Sequence, residues 1–122
     1  VALTDFSPQY LTIATRGDVV VVSFNDERLT DDDNIEQIGH ELFSLVDQYH
    51  CRKVILDLAG LKMMTSSVMG KMITLHRKLH REEGKLVICN TGDYVTEILK
   101  TSRLHDYFNV AADEAAALEM LN

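Results

Sequence analysis

The chain of 122 residues contains one proline, two cysteines and no apolar run approaching the roughly 18 residues of a membrane span. The lone proline, Pro8, lies in the N-terminal arm, so no proline interrupts the periodic segments that follow it. Cys51 and Cys89 have no metal-ligand spacing, and they read as reduced thiols of a cytoplasmic protein, Cys51 opening one predicted strand and Cys89 closing another. No basic stretch leads into an apolar one at the N-terminus, so no signal peptide is expected. The start at Val1 rather than Met leaves room for trimming.

Positive charge is also scarce: 12 Lys and Arg against 19 Asp and Glu give a net charge of −7. Nucleic-acid binding draws most of its affinity from cations on phosphates, so this balance argues against it. The basic residues do cluster at Arg77, Lys78 and Arg81, but Glu82 and Glu83 follow at once, the pattern of a solvated helix face. No repeat, low-complexity tract or linker divides the chain, and a single domain spanning residues 1–122 is expected. With 46% hydrophobic and 25% charged residues, its composition is that of a globular protein. A chain of this length buries about two-thirds of the surface it exposes when unfolded, enough for a core.

The periodicities that are present alternate between two kinds. "YLTIATRGDVVVVSF" reads as strands over Tyr10–Thr15 and Val19–Phe24, joined by a turn at Gly17 and Asp18. Ile35, Ile38, Leu42, Leu45, Val46 and Tyr49 then recur at steps of three and four, an amphipathic helix with the acidic run Asp31, Asp32, Asp33 at its favourable N-terminal end. "KVILDL", residues 53–58, is apolar enough for a strand covered on both faces. Met69, Met72, Ile73, His76, Leu79 and His80 keep helical spacing up to Gly84, which suits a left-handed helix terminus. "KLVIC" reads as another buried strand and "DYVTEILKTS" as a short helix with Val95, Ile98 and Leu99 inward. "YFNV" reads as a short strand, and "DEAAALEML" as a helix capped by Asp113. The order β-β-α-β-α-β-α-β-α implies an α/β fold: a mixed, mostly parallel five-stranded sheet with four helices. Partners and ligands of such sheets meet the loops at the carboxyl ends of the strands.

"MMTSSVMGKM" lies at that edge, between a strand and a helix. Thr65 or Ser66 is placed to cap the helix, whose free N–H groups also suit a phosphate. A phosphoserine there would add about −1.5 to −2 charges and alter whatever docks on that surface. A serine nucleophile on a flavodoxin-like fold is an alternative, but the glycines of a G-x-S-x-G elbow are replaced around Ser66 by Met64 and Val68. His76 and His80 stand at i and i+4 without the glutamate of H-E-x-x-H, and read as packing or interface histidines rather than metal ligands. Asp57 stands on a central strand, as a phosphoacceptor would, but the acidic pair and the lysine that such a site needs are missing. Neither a phosphate-binding G-x-x-x-x-G-K-[ST] loop nor a dinucleotide G-x-G-x-x-G turn is present, and no cofactor is expected.

Three stretches together are recognisable. Asp57-Leu58-Ala59-Gly60, the strand "GKLVICN" and the ending "ILKTSRLHDYF" resemble the STAS domain of bacterial anti-sigma-factor antagonists, the resemblance being good from Val54 to Phe108. It implies a non-catalytic binding module of the cytoplasm, with no nucleic-acid or membrane partner. Such a module docks a serine kinase that also sequesters a sigma factor, is released when a loop serine is phosphorylated, and is restored by a serine phosphatase. With Asp57 and Gly70 in register, the acceptor serine falls on Ser66, with Thr65 and Ser67 as rivals. Thr65 stands where the family has aspartate, and Val68 where it has glycine. The partner surface implied by the resemblance comprises Thr65, Ser66, Ser67 and Met69, with Asp31 at a loosely matching acidic loop position. A relative that never takes a phosphate and serves only as a scaffold is the alternative within the family.

Overall fold

The computed structural model describes Leu3 and residues 5–122; Val1, on which the expectation of trimming turns, lies outside them. Eleven elements follow in order: β1 (Leu11–Arg16), β2 (Val19–Phe24), β3 (Arg28–Leu29), α1 (Asp32–Asp47), β4 (Lys53–Asp57), β5 (Met63–Met64), α2 (Ser66–Arg81), β6 (Lys85–Cys89), α3 (Asp93–Thr101), β7 (Asn109–Ala111) and α4 (Glu114–Leu121). The main sheet has the strand order β1-β2-β4-β6-β7, with β1 antiparallel to β2 and every other pairing parallel. The fold is thus the mixed, mostly parallel five-stranded sheet with four helices that the alternating periodicities imply. Cys51 lies just before β4 rather than in it, and its N–H donates to the Leu45 carbonyl at 2.8 Å.

Side chains alternate across the central strands and divide the interior in two. Val20, Val22, Val54, Leu56, Leu86 and Ile88 face α1, α2 and α3. Val19, Val21, Ile55, Val87 and Cys89 face α4 through Ala117, Leu118 and Leu121. Such double cover is why these strands read as continuous apolar runs. Both cysteines are free and buried, and burial pushes their thiols up, that of Cys89 to about 12, so both are poor nucleophiles.

Three details depart from the periodicity reading. Helix α2 buries Val68, Met69, Met72, Leu75 and Leu79, whereas Ile73 and His76 are half-buried and His80 is exposed. The apolar stripe therefore runs through Leu75 and not through the histidines. The helix ends in a Schellman motif, with Gly84 N–H donating to the Leu79 carbonyl at 2.7 Å and Glu83 N–H to that of His80 at 3.1 Å. The left-handed residue is Glu83, at φ 62°, not Gly84. Glycine is needed at 84 for another reason: a Cβ there would stand 2.5 Å from the Arg52 carbonyl oxygen. Finally, the pair β3 and β5, each two residues long, forms a small parallel sheet with no counterpart in the sequence periodicity.

Candidate functional site

The segment from Asp57 to Thr65 is fixed at both ends before it enters α2. Asp57 Oδ1 accepts from Ala59 N–H and from Asn90 Nδ2, both at 3.0 Å, so this carboxylate organises the loop. Leu61 N–H returns to the Leu58 carbonyl at 3.0 Å across Gly60, whose φ of 83° is what the third residue of a type II turn requires. Lys62 N–H then donates to the Glu27 carbonyl at 2.7 Å, β5 pairs with β3, and Thr65 N–H donates to the Leu29 carbonyl at 3.2 Å. The small sheet thus ties the approach to α2 to the approach to α1.

Both helices start at the same edge. Lys71 reaches Glu36 at 3.1 Å and Lys78 reaches Asp47 at 2.9 Å, so α1 and α2 run side by side in the same direction. At Gly39 the Lys71 stem passes 2.9 Å from where a Cβ would stand, so a side chain there would have to displace it. On the other flank, the Tyr94 hydroxyl at the start of α3 donates to the Met64 carbonyl at 3.4 Å.

The two starts differ in chemistry. Asp31 caps α1, accepting from the N–H groups of Asp33 and Asn34 at 3.0 and 3.3 Å, and Asp32 and Asp33 fill the first turn. The acidic run thus lies at the helix N-terminus as expected, and Asp31 additionally serves as its cap. Thr65 is the N-cap of α2, yet its side chain makes no cap bond, and its Oγ1 is buried without a protein partner. No acidic residue lies in the first turn. Ser66 and Ser67 are both exposed. Ser66 borders a shallow hollow of about 180 Å3 with Met64, Thr65, Met69, Ile98 and Ser102, while Ser67 stands one turn before Lys71 on the flank toward α1. The hollow is smaller than the roughly 300 Å3 at which small-molecule pockets begin, and it is mostly apolar.

Of the five residues expected at the partner surface, then, Ser66 and Ser67 present their side chains and Asp31 is engaged as a cap, its residue still exposed. Thr65 hides its hydroxyl, and Met69, only 7% exposed, belongs to the core and reaches no further than the rim of the hollow. Val68, where the resembling family has glycine, is 1% exposed and points into the core, so the bulkier residue is absorbed inside and not on the surface. Tyr94 at this edge, 41% exposed, was not singled out by sequence, because only the pairing of α3 with the loop brings it there. Among the described residues no three His, Cys, Asp or Glu side chains gather as a metal site would require, and no helix is long and apolar enough to cross a membrane.

A mixed sheet with a serine-bearing loop at the start of its second long helix defines a class of single α/β domain. Comparison with known families makes this specific: residues 10–117 match the STAS domain, and the chain belongs to that family. It is 32% identical over 84 residues, 69% of this chain and 72% of the other, to BtrV of Bordetella bronchiseptica, named as a proposed anti-sigma-factor antagonist. Among solved structures, the fold is similar to that of a protein of Thermotoga maritima of like designation, with a TM-score of 0.81, 14% identity and coverage of 91% and 93% of the two chains. It is also similar to the Bacillus cell-fate determinant SpoIIAA in its phosphorylated form, with a TM-score of 0.70, 20% identity and coverage of 92% and 99%.

Proposed function

We propose that this protein is an anti-sigma-factor antagonist: a non-catalytic module that docks an anti-sigma factor of the serine-kinase type and is switched off by phosphorylation of Ser66. One observation carries the reading: an exposed serine hydroxyl at the first position of a helix whose start has neither a side-chain cap nor an acidic first turn. The N–H groups of such a turn, with the positive end of the helix dipole, favour a phosphate without loss of the helix. Family membership and the likeness to BtrV support the same reading.

Ser66 is preferred over its neighbours on access and on surroundings. A kinase cannot reach a buried Thr65 hydroxyl without opening the loop. Ser67 is exposed but lies toward α1, whose first turn is already acidic, so a phosphate there meets Asp32 and Asp33 more unfavourably. On this reading the replacement of the family's aspartate by Thr65 removes a negative neighbour and leaves the phosphate as the one negative group at the start of α2. Dephosphorylation by a serine phosphatase would restore docking. The scaffold alternative differs only in lacking the switch. For the serine-enzyme alternative, α2 supplies no base: its first histidine, His76, lies ten residues beyond Ser66 and about 15 Å along the axis.

The test is co-purification. Wild type and Ser66→Asp, each tagged, are offered the candidate kinase from the same organism. Retention by wild type and loss by at least about tenfold in Ser66→Asp is the expected result. Equal retention by both would favour the scaffold reading.

A further inference from the structure

Toward the far end of α2, about 15–22 Å from Ser66 along the helix axis, a second concavity has no part in this switch. It encloses about 480 Å3 and is lined by His76, Arg77, His80, Arg81 and Tyr107. A smaller cavity of about 200 Å3 shares His76 and His80 with it and extends toward Lys85 and Asn109. The volume of the larger cavity lies within the range of small-molecule sites.

Three features point to the same kind of ligand. First, in a chain of net charge −7, no carboxylate lines either cavity, and among the described residues neither Arg77 nor Arg81 pairs with an acid, although Lys78 and Arg52 nearby do. Arginines four residues apart stand over one another on a helix face, close enough to grip one anionic group. Cations also favour the last turn of a helix, which accounts for Arg81 but not for the hollow beside it. Second, the back wall is aromatic. His76 meets Tyr107 edge-on at 4.9 Å and Phe108 at 5.5 Å, and Tyr107, which lines the cavity, is 43% exposed. Third, His76 lines both cavities, and since its Nδ1 is closed off from solvent without a protein partner, the nitrogen it offers a ligand is Nε2. Burial and the neighbouring His80 hold its imidazole below its usual range, hence neutral and able to donate or accept. Flanking guanidinium groups speak against a metal cation on the two histidines.

We propose that this cavity binds a small ring-bearing anion, a phosphate or carboxylate on a flat apolar body, with Arg77 and Arg81 holding the anionic group and the ring lying against Tyr107. The experiment is a titration of the isotope-labelled protein with phenyl phosphate, followed by amide and imidazole resonances, with inorganic phosphate and benzyl alcohol as separate arms. Saturable shifts at His76, His80 and Tyr107 are expected, strongest for phenyl phosphate. The double variant Arg77→Gln/Arg81→Gln, both exposed positions, should weaken binding at least about tenfold, and Tyr107→Leu should weaken phenyl phosphate but not inorganic phosphate. Identical titrations of the double variant and wild type would overturn the proposal, as would shifts confined to the start of α2. Equal affinity for phenyl phosphate and inorganic phosphate would remove the ring from it.

Discussion

Helices α1 and α2 begin side by side at one edge of the sheet, and their first turns are built on opposite principles. The start of α1 is saturated: Asp31 accepts two of its N–H groups, and two more aspartates face its dipole. The start of α2 is left open: its cap residue turns a hydroxyl into the interior, no acid follows, and two serines stand outside. Had both been capped alike, a phosphate on α2 would gain little. On the proposed reading, the capping that stabilises α1 permanently is supplied to α2 only when Ser66 is phosphorylated.

The largest effect that sharpens this comparison lies within the first turn of α2 itself. Val68→Asp places an unpaired carboxylate in the core, where Val68 is 1% exposed. The expected loss in urea unfolding is ~4 kcal/mol or more, against none for an acid at Ser66 two residues earlier. Next is Asp31→Ala, which removes a cap with two hydrogen bonds and should cost ~1 kcal/mol in the same assay. Ser66→Glu should go the other way and raise stability by about 0.3–1 kcal/mol, an effect reduced by salt. A fall in midpoint of tens of degrees would instead mean that Ser66 is structural. Smallest is Thr65→Val. A working cap would lose as much as Asp31→Ala, but a hydroxyl with no protein partner should leave stability within about 0.5 kcal/mol or improve it.

Much of this could be read before any coordinates. The four longer strands of the main sheet and the four helices follow from apolar pattern, because each is long enough to show it, whereas β7, three half-buried residues, reads only as a short strand over "YFNV". Asp31 as an N-terminal acid, Asp113 as a cap and the serines as edge residues were equally legible. What escaped depends on partners distant in sequence. β3 and β5 are two residues each, too short for any period, and exist only because the two loops meet. Gly84 is explained by Arg52, over thirty residues away, and not by its own torsion. In α2 the histidines fell at helical spacing and masked Leu75, and which flank of the stripe is covered was decided by α1 and the sheet. The difference between Thr65 and Ser66, adjacent hydroxyls with opposite exposure, follows from the path of the loop that β5 fixes.

The central claim is that the open start of α2 is a phosphate site and that Ser66 carries the phosphate. Tandem mass spectrometry of the loop peptide tests it most directly, after incubation of wild type, Ser66→Ala and Ser67→Ala with the cognate kinase and ATP. The account predicts phosphate on Ser66 in wild type, none in Ser66→Ala, and most of the label retained in Ser67→Ala. Phosphate on Thr65 in wild type, with Ser66→Ala still fully labelled, would contradict it.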